Sequence, residues 1–382
     1  MFNNIKSKLP HTSTTIFSVM SALAEKHSAI NLSQGFPDFH ADPILLNLVD
    51  QYMKKGWNQY APMPGIKPLR DVLSDMLFKQ SGHRYDADKE ITITHGATQA
   101  IATAISTVVR EGDEVIIFTP AYDCYAPMVE LNGGVPIFVQ LHHPDYSINW
   151  EAFKKQINHR TKLIIINTPH NPSATVLKHS DLVQLEELVK ASNILILADE
   201  VYENIVFGTE KHHSISSYPH LVERSFKVGS FGKTLHVTGW KLGYCAAPEF
   251  LTTEFRKLHQ YMVFSVNTPI QYAMADYLAD ESNIHISPMY EGLRNVFLDS
   301  IKDSGFKPLH SEGTYFQLLD YSALSTINEV DFAKELTIKH GVASIPLSVF
   351  YHIPQENHVL RFCFAKNEKT LRDAGSLLSQ VK

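Results

Sequence analysis

Residues 227–244 read KVGSFGKTLHVTGWKLGY. A short apolar run, Phe226–Val228, passes into a Gly- and Ser-rich loop that carries Lys233, and a second run, Leu242–Ala246, follows. Runs of the same kind recur upstream at Ile91–Thr94, Val115–Phe118, Ile137–Leu141, Leu163–Asn167 and Ile194–Ala198. Between them lie stretches such as Ala97–Val109 and Asp181–Ala191, long enough for crossover helices. This alternation predicts an α/β fold with a seven-stranded, mainly parallel sheet covered by helices on both faces.

After about residue 280 the rhythm changes to helix, strand around Thr314–Leu319, helix, strand at Val359–Phe364 and a last helix, which reads as a smaller α+β unit. The first 40 or so residues are expected to find no strand partner nearby and to pack on that unit. The predicted division is a large domain over 43–280 and a small one from 1–42 and 281–382.

The 382 residues, 44% of them apolar, suffice for a large core and two lobes. Thirty-four Lys and Arg against 40 Asp and Glu, with no long run of either sign, disfavour a nucleic-acid partner and favour small-molecule chemistry. Three scattered cysteines, Cys124, Cys245 and Cys363, argue for a reducing compartment. With no apolar leader and no run near the roughly 20 residues of a bilayer span, a soluble, cytoplasmic protein is expected.

Lys233 invites three readings. A surface loop lysine is the plainest. A P-loop shares the ending Gly232-Lys233-Thr234, but needs glycine where Lys227 stands, and fails. The third gathers Ser230, Lys233 and Lys241 around a phosphorylated aldehyde cofactor, with Lys233 as nucleophile and the other two on the phosphate. Asn171, in NTPHNP just after a strand, and Asp199, ending another in ADEVY, agree with it, because ligands of open parallel sheets bind beyond the carboxyl ends of strands. Gly96, Ala97 and Thr98 lie between a strand and a helix N-terminus, where free backbone N–H groups favour an anion.

With SxxK (Ser230–Lys233), then Thr238-Gly239-Trp240 and Lys241, the chain resembles the class I aminotransferases of the fold-type I pyridoxal-phosphate superfamily, in their methionine and kynurenine aminotransferase-like branch. The resemblance implies pyridoxal 5′-phosphate held by Lys233 as a Schiff base, Asp199 on the ring nitrogen, and Tyr202 and Asn171 at the ring oxygen. It implies Gly96, Ala97, Thr98, Ser230 and Lys241 around the phosphate, and Tyr122 stacked on the ring. Many relatives carry arginine in place of Lys241; lysine offers a point charge instead of a planar fork. Tyr60 resembles a tyrosine that reaches the neighbouring subunit's phosphate, which implies a homodimer, and Arg361 the arginine that grips the substrate α-carboxylate. Gly35 resembles a glycine whose backbone approaches that carboxylate.

For the side chain, Tyr261–Asn267 holds no arginine of the kind that dicarboxylate enzymes supply from the partner subunit. Ile16, Phe17, Phe36, Tyr60, Tyr122 and Phe264 offer an apolar, aromatic pocket suited to methionine, aromatic amino acids or kynurenine. The expected activity is ping-pong transfer of the amino group from such an amino acid to a 2-oxo acid. Cysteine-conjugate β-lyase activity is an alternative on the same residues. A ligand-sensing regulatory domain is disfavoured because the resemblance starts near residue 10, leaving no room for a DNA-binding module. The 20 histidines show no metal-ligand spacing such as HExxH and are read as surface and loop residues.

Overall fold

The structure, a computed structural model, describes residues 6–10, 12 and 14–382. After a two-residue strand β1 (Ile30–Asn31) come β2 (Ile91–Thr94), β3 (Glu114–Thr119), β4 (Val135–Gln140), β5 (Thr161–Asn167), β6 (Leu195–Asp199), β7 (Ser225–Ser230) and β8 (Gly243–Ala246). The last seven form one sheet in the order β2-β8-β7-β6-β5-β3-β4, in which only β8 runs antiparallel to its neighbours. Every residue of β2 and β3 is buried, and β5 and β6 nearly so, as parallel strands covered on both faces require. The edge strand β4 is the exception, with Val135 exposed.

The second sheet joins β9 (Lys307–Pro308), β10 (Phe316–Asp320), β12 (Ile345–Pro346) and β13 (Val359–Cys363) in the order β12-β13-β10-β9. One expectation is corrected here. The first 40 residues do find a strand partner, because β1 pairs in parallel with β11 (Val342–Ala343). The helix Ile16–Lys26 lies beside that pair. Two-residue strands are too short to show alternation, so neither β1 nor β11 was readable from the sequence.

A buried ionic cluster braces the ends of β6 and β7. Lys227, on β7, donates to Glu200 and, at 2.7 Å, to Glu203; His212 sits 2.8 Å from Glu200, and Tyr244 donates to Glu203 at 2.7 Å. Burial alone would raise the Glu200 carboxyl, but Lys227 and His212 outweigh it and hold it well below the usual range. Lys227→Met is expected to destabilise the fold by about 3–5 kcal/mol, because it strands two buried carboxylates. Urea unfolding at neutral pH measures the loss. The Glu200 contribution is complete above the unfolded carboxyl's pKa of about 4.3 and is lost as pH falls toward the depressed folded value. Among the described residues no helix is long and apolar enough to cross a membrane.

Candidate active site

The carboxyl ends of β5, β6 and β7 lie side by side. Asn167 is the register partner of Asp199, and Ser230 that of Gly243 on β8. Above them opens a cavity of about 150 Å³. Gly96, Ala97, Thr98, Tyr122, Asn171, Asp199, Tyr202, Ser230, Lys233 and Lys241 all line it, so ten residues singled out in five separate stretches of sequence meet at one place. The helix Gly96–Val108 points its N-terminus at one end, with no acidic residue in its first turn to neutralise it. Gly96 has φ +73°, and a Cβ there would stand 3.4 Å from the Lys241 side chain. The positive φ suits glycine, the Lys241 side chain lies against the helix start, and the two make a positive cradle at that end.

Asp199 closes the other end. It is buried, and its Oδ2 accepts from the Tyr125 hydroxyl at 2.6 Å. Burial lifts its carboxyl to about 6 although the Tyr125 hydrogen bond opposes the rise. A cation set against it would restore the carboxylate. Between the two ends Lys233, on the short helical turn Phe231–Thr234 after β7, reaches out with Nζ. Burial first, with help from the positive charges of Lys241 and Arg361, brings its ammonium down to about 8. About a quarter of such a lysine is neutral at pH 7.5, against about one part in a thousand for a free one.

Arg361 occupies the middle of β13, 1% exposed. Its Nη1 donates to Asn171 Oδ1 at 2.5 Å, and its guanidinium lies 3.9 Å from the Phe316 ring centre and 4.9 Å from that of Phe350. Among the described residues no carboxylate lies within ion-pair distance of it. A buried cation without an anion is costly unless a ligand supplies one.

The remaining predicted residues are spread more widely. Phe17 lies beside Arg361 with its ring centre 5.4 Å from the guanidinium, and Ile16 is half-buried against the core. The Gly35 carbonyl accepts from Tyr315 at 2.5 Å and faces Lys233 Nζ at 3.4 Å. Phe36 does not line the cavity; it is 46% exposed, with the Lys366 ammonium over its ring and bonded to its carbonyl. Tyr60, 81% exposed, and Phe264 pack edge to face on each other at the surface, also outside the cavity.

Three site residues were missed. Tyr125 holds Asp199. Asn167 accepts from the Asn171 backbone at 2.8 Å and donates to the Asp199 carbonyl at 2.8 Å, tying two strand ends together. Tyr315 accepts from Lys233 Nζ at 2.8 Å. The place of Asn167 at the carboxyl end of a predicted strand was a usable signal; nothing in the local pattern marks the other two. The reading of the histidines also needs correction, since His170 and His259 are buried, and burial brings His170, His236 and His259 down to about 4. Glu200, Glu203 and His212 stand close enough to share a metal, but the Lys227 ammonium already pairs with both carboxylates.

A positive cradle, an amine and a buried carboxylate in line fit a phosphorylated, nitrogen-containing aldehyde. The fold is that of the fold-type I aminotransferases. Residues 27–376 match the family model for aminotransferase class I and II; the chain belongs to that family and is an aminotransferase. It is 47% identical over 378 residues to the methionine aminotransferase of Escherichia coli K12, covering 98% of each chain. It is 32% identical to kynurenine–oxoglutarate transaminase 1 of Homo sapiens, covering 94% of each. A crystal structure of an E. coli protein identified as a methionine aminotransferase superposes with a TM-score of 0.97 at 46% identity, over 99% of each chain.

Proposed function

We propose that this chain moves the amino group of methionine, or of an aromatic amino acid, to a 2-oxo acid by a ping-pong route, with pyridoxal 5′-phosphate held covalently on Lys233. The observation that carries the reading is the Lys233 amine opening into one cavity with the Gly96 helix start, Lys241 and the buried Asp199. When bound, the cofactor supplies an electron sink for the substrate α-carbon. Gly96, Ala97, Thr98, Ser230 and Lys241 hold the phosphate, and Asp199 keeps the proton on the ring nitrogen. Tyr202 and Asn171 would hydrogen-bond the ring oxygen, and Tyr122 would cover the ring. Lys233 Nζ carries the proton away from the α-carbon. Arg361, with the Gly35 backbone, takes the substrate carboxylate and supplies the orientation that makes this transfer effectively intramolecular.

The division at 42/43 and 280/281 gives the cofactor to the larger part. A homodimer accounts for the exposed Tyr60–Phe264 pair, which would enter the neighbouring site, and the expected setting is cytoplasmic. For the substrate side chain, the support is the methionine aminotransferase relative, the lack of arginine in 261–267 and the apolar Phe17 beside Arg361. The kynurenine aminotransferase relative keeps kynurenine within the same pocket class.

Single amino acids added to the yellow enzyme give the test. Methionine, phenylalanine and tyrosine are expected to bleach the lysine-linked absorbance to that of the amine form, and aspartate to do so at least about 100-fold less efficiently, as an unpaired carboxylate in an apolar pocket requires. Bleaching by aspartate as fast as by methionine would overturn the substrate assignment. Pyruvate and ammonia formed from a cysteine conjugate without an acceptor would reveal the β-lyase reaction.

A further inference from the structure

Tyr315 lies immediately before β10, in the chain segment Gly313-Thr314-Tyr315-Phe316, and no part of the reading above uses it. Its hydroxyl is nevertheless the closest polar partner of Lys233. Lys233 Nζ donates to it at 2.8 Å, and the hydroxyl donates to the Gly35 carbonyl at 2.5 Å. That same carbonyl faces Nζ at 3.4 Å. The tyrosine is fully buried, and its ring is fixed edge to face against Tyr202 and Phe316 and beside Tyr290. It has no freedom to leave.

Donor and acceptor roles follow from this triangle. The single hydroxyl proton of Tyr315 is committed to Gly35, so the oxygen presents only lone pairs to the lysine. A neutral Lys233 amine has two N–H bonds and one lone pair. With one N–H on Tyr315 and the other turned toward the Gly35 carbonyl, the lone pair is left facing away from both, which is the orientation a base needs. A group that could donate to the amine would occupy that lone pair instead.

We propose that Tyr315 is a positioning residue: with the Gly35 carbonyl it seats the Lys233 amine whenever that amine is not joined to the cofactor, and leaves its lone pair free to take the substrate α-proton. The inference rests on the function proposed above and adds a residue to its proton-transfer step. It predicts that Tyr315 matters to the step in which Lys233 is a free base and not to the lysine-linked resting form.

Tyr315→Phe in the intact holoenzyme is the test, since it keeps the ring packing and removes only the hydroxyl, which is both the acceptor for Lys233 and the donor to Gly35. With methionine in single-turnover mixing, bleaching is expected to slow by about 10- to 100-fold, the scale of one lost hydrogen bond to a charged or buried amine. The substrate concentration at half-maximal rate should change less than about threefold, the kinetic isotope effect with α-deuterated methionine should rise, and the spectral pKa of the yellow form should stay at its wild-type value. Tyr315→Gln returns a carbonyl acceptor and should recover part of the rate; it also serves if the phenylalanine variant does not fold. Wild-type bleaching in Tyr315→Phe, or slowing matched by an equal loss of substrate affinity with no change in isotope effect, would overturn the proposal. Failure of the underlying reading looks different: borohydride trapping of the wild-type enzyme would then leave no pyridoxyl group on Lys233.

Discussion

Lys233→Ala is expected to lower turnover with methionine by about 10⁴-fold or more, because on the proposed function it removes the covalent attachment point together with a positioned proton carrier that alone is worth roughly 10²–10⁴. The variant should fold, since the cavity loses a flexible side chain and no packed core group. It should also still bind cofactor through the Gly96–Thr98 helix start and Lys241, now released by simple dialysis. The visible spectrum and peptide mapping after borohydride read both effects. In the wild type, only neutral Lys233 can accept the α-proton, so the rate of bleaching is expected to climb as pH rises through about 8, the value to which burial brings this ammonium. A rate that stays constant from roughly 1.5 pH units below that value to about one unit above it would assign the base to another group.

Asp199→Asn is expected to cost about 10²–10³-fold in turnover, the scale of removing one preorganised electrostatic contact from a water-excluded site. The amide has the same shape and still accepts from the Tyr125 hydroxyl, so the fold and the cavity should survive. What disappears is the negative charge. Without it nothing among the residues lining the cavity holds a proton on the ring nitrogen, and the cofactor loses most of its pull on the α-carbon electrons. Binding of methionine, for which Arg361 is proposed, should change far less than turnover. Comparable losses in both would instead point to a structural role for the carboxylate.

Much of the frame could be read in advance for one physical reason. Parallel strands buried on both faces are largely apolar runs, and six of the seven were found within a residue or two of their ends; Ile91–Thr94, a β-branched run paired only with the antiparallel β8, was placed to the residue. The position of Asp199 at a strand's carboxyl end was read with the same accuracy, whereas Ser230, read as a loop residue, ends β7. The two-residue strands β1, β9, β11 and β12 carry no periodicity and exist only because a neighbour pairs with them. Tyr125 and Tyr315 were invisible for a related reason. Their partners, Asp199 and Lys233, lie 74 and 82 positions away along the chain, and no local pattern encodes such a meeting. Phe36 was named for its character, yet character does not fix direction, and the Lys366 ammonium holds its ring outside the cavity.

The seat of Lys233 draws on Gly35, 198 positions earlier, and Tyr315, 82 later, while Arg361 arrives from near the end of the chain. On the ribosome, a nascent polypeptide that has emerged as far as its lysine therefore owns a nucleophile with neither the seat nor the carboxylate clamp around it. Competence comes only once the segments that form β10 and β13 have followed, so that the chemistry and the finished fold are born together.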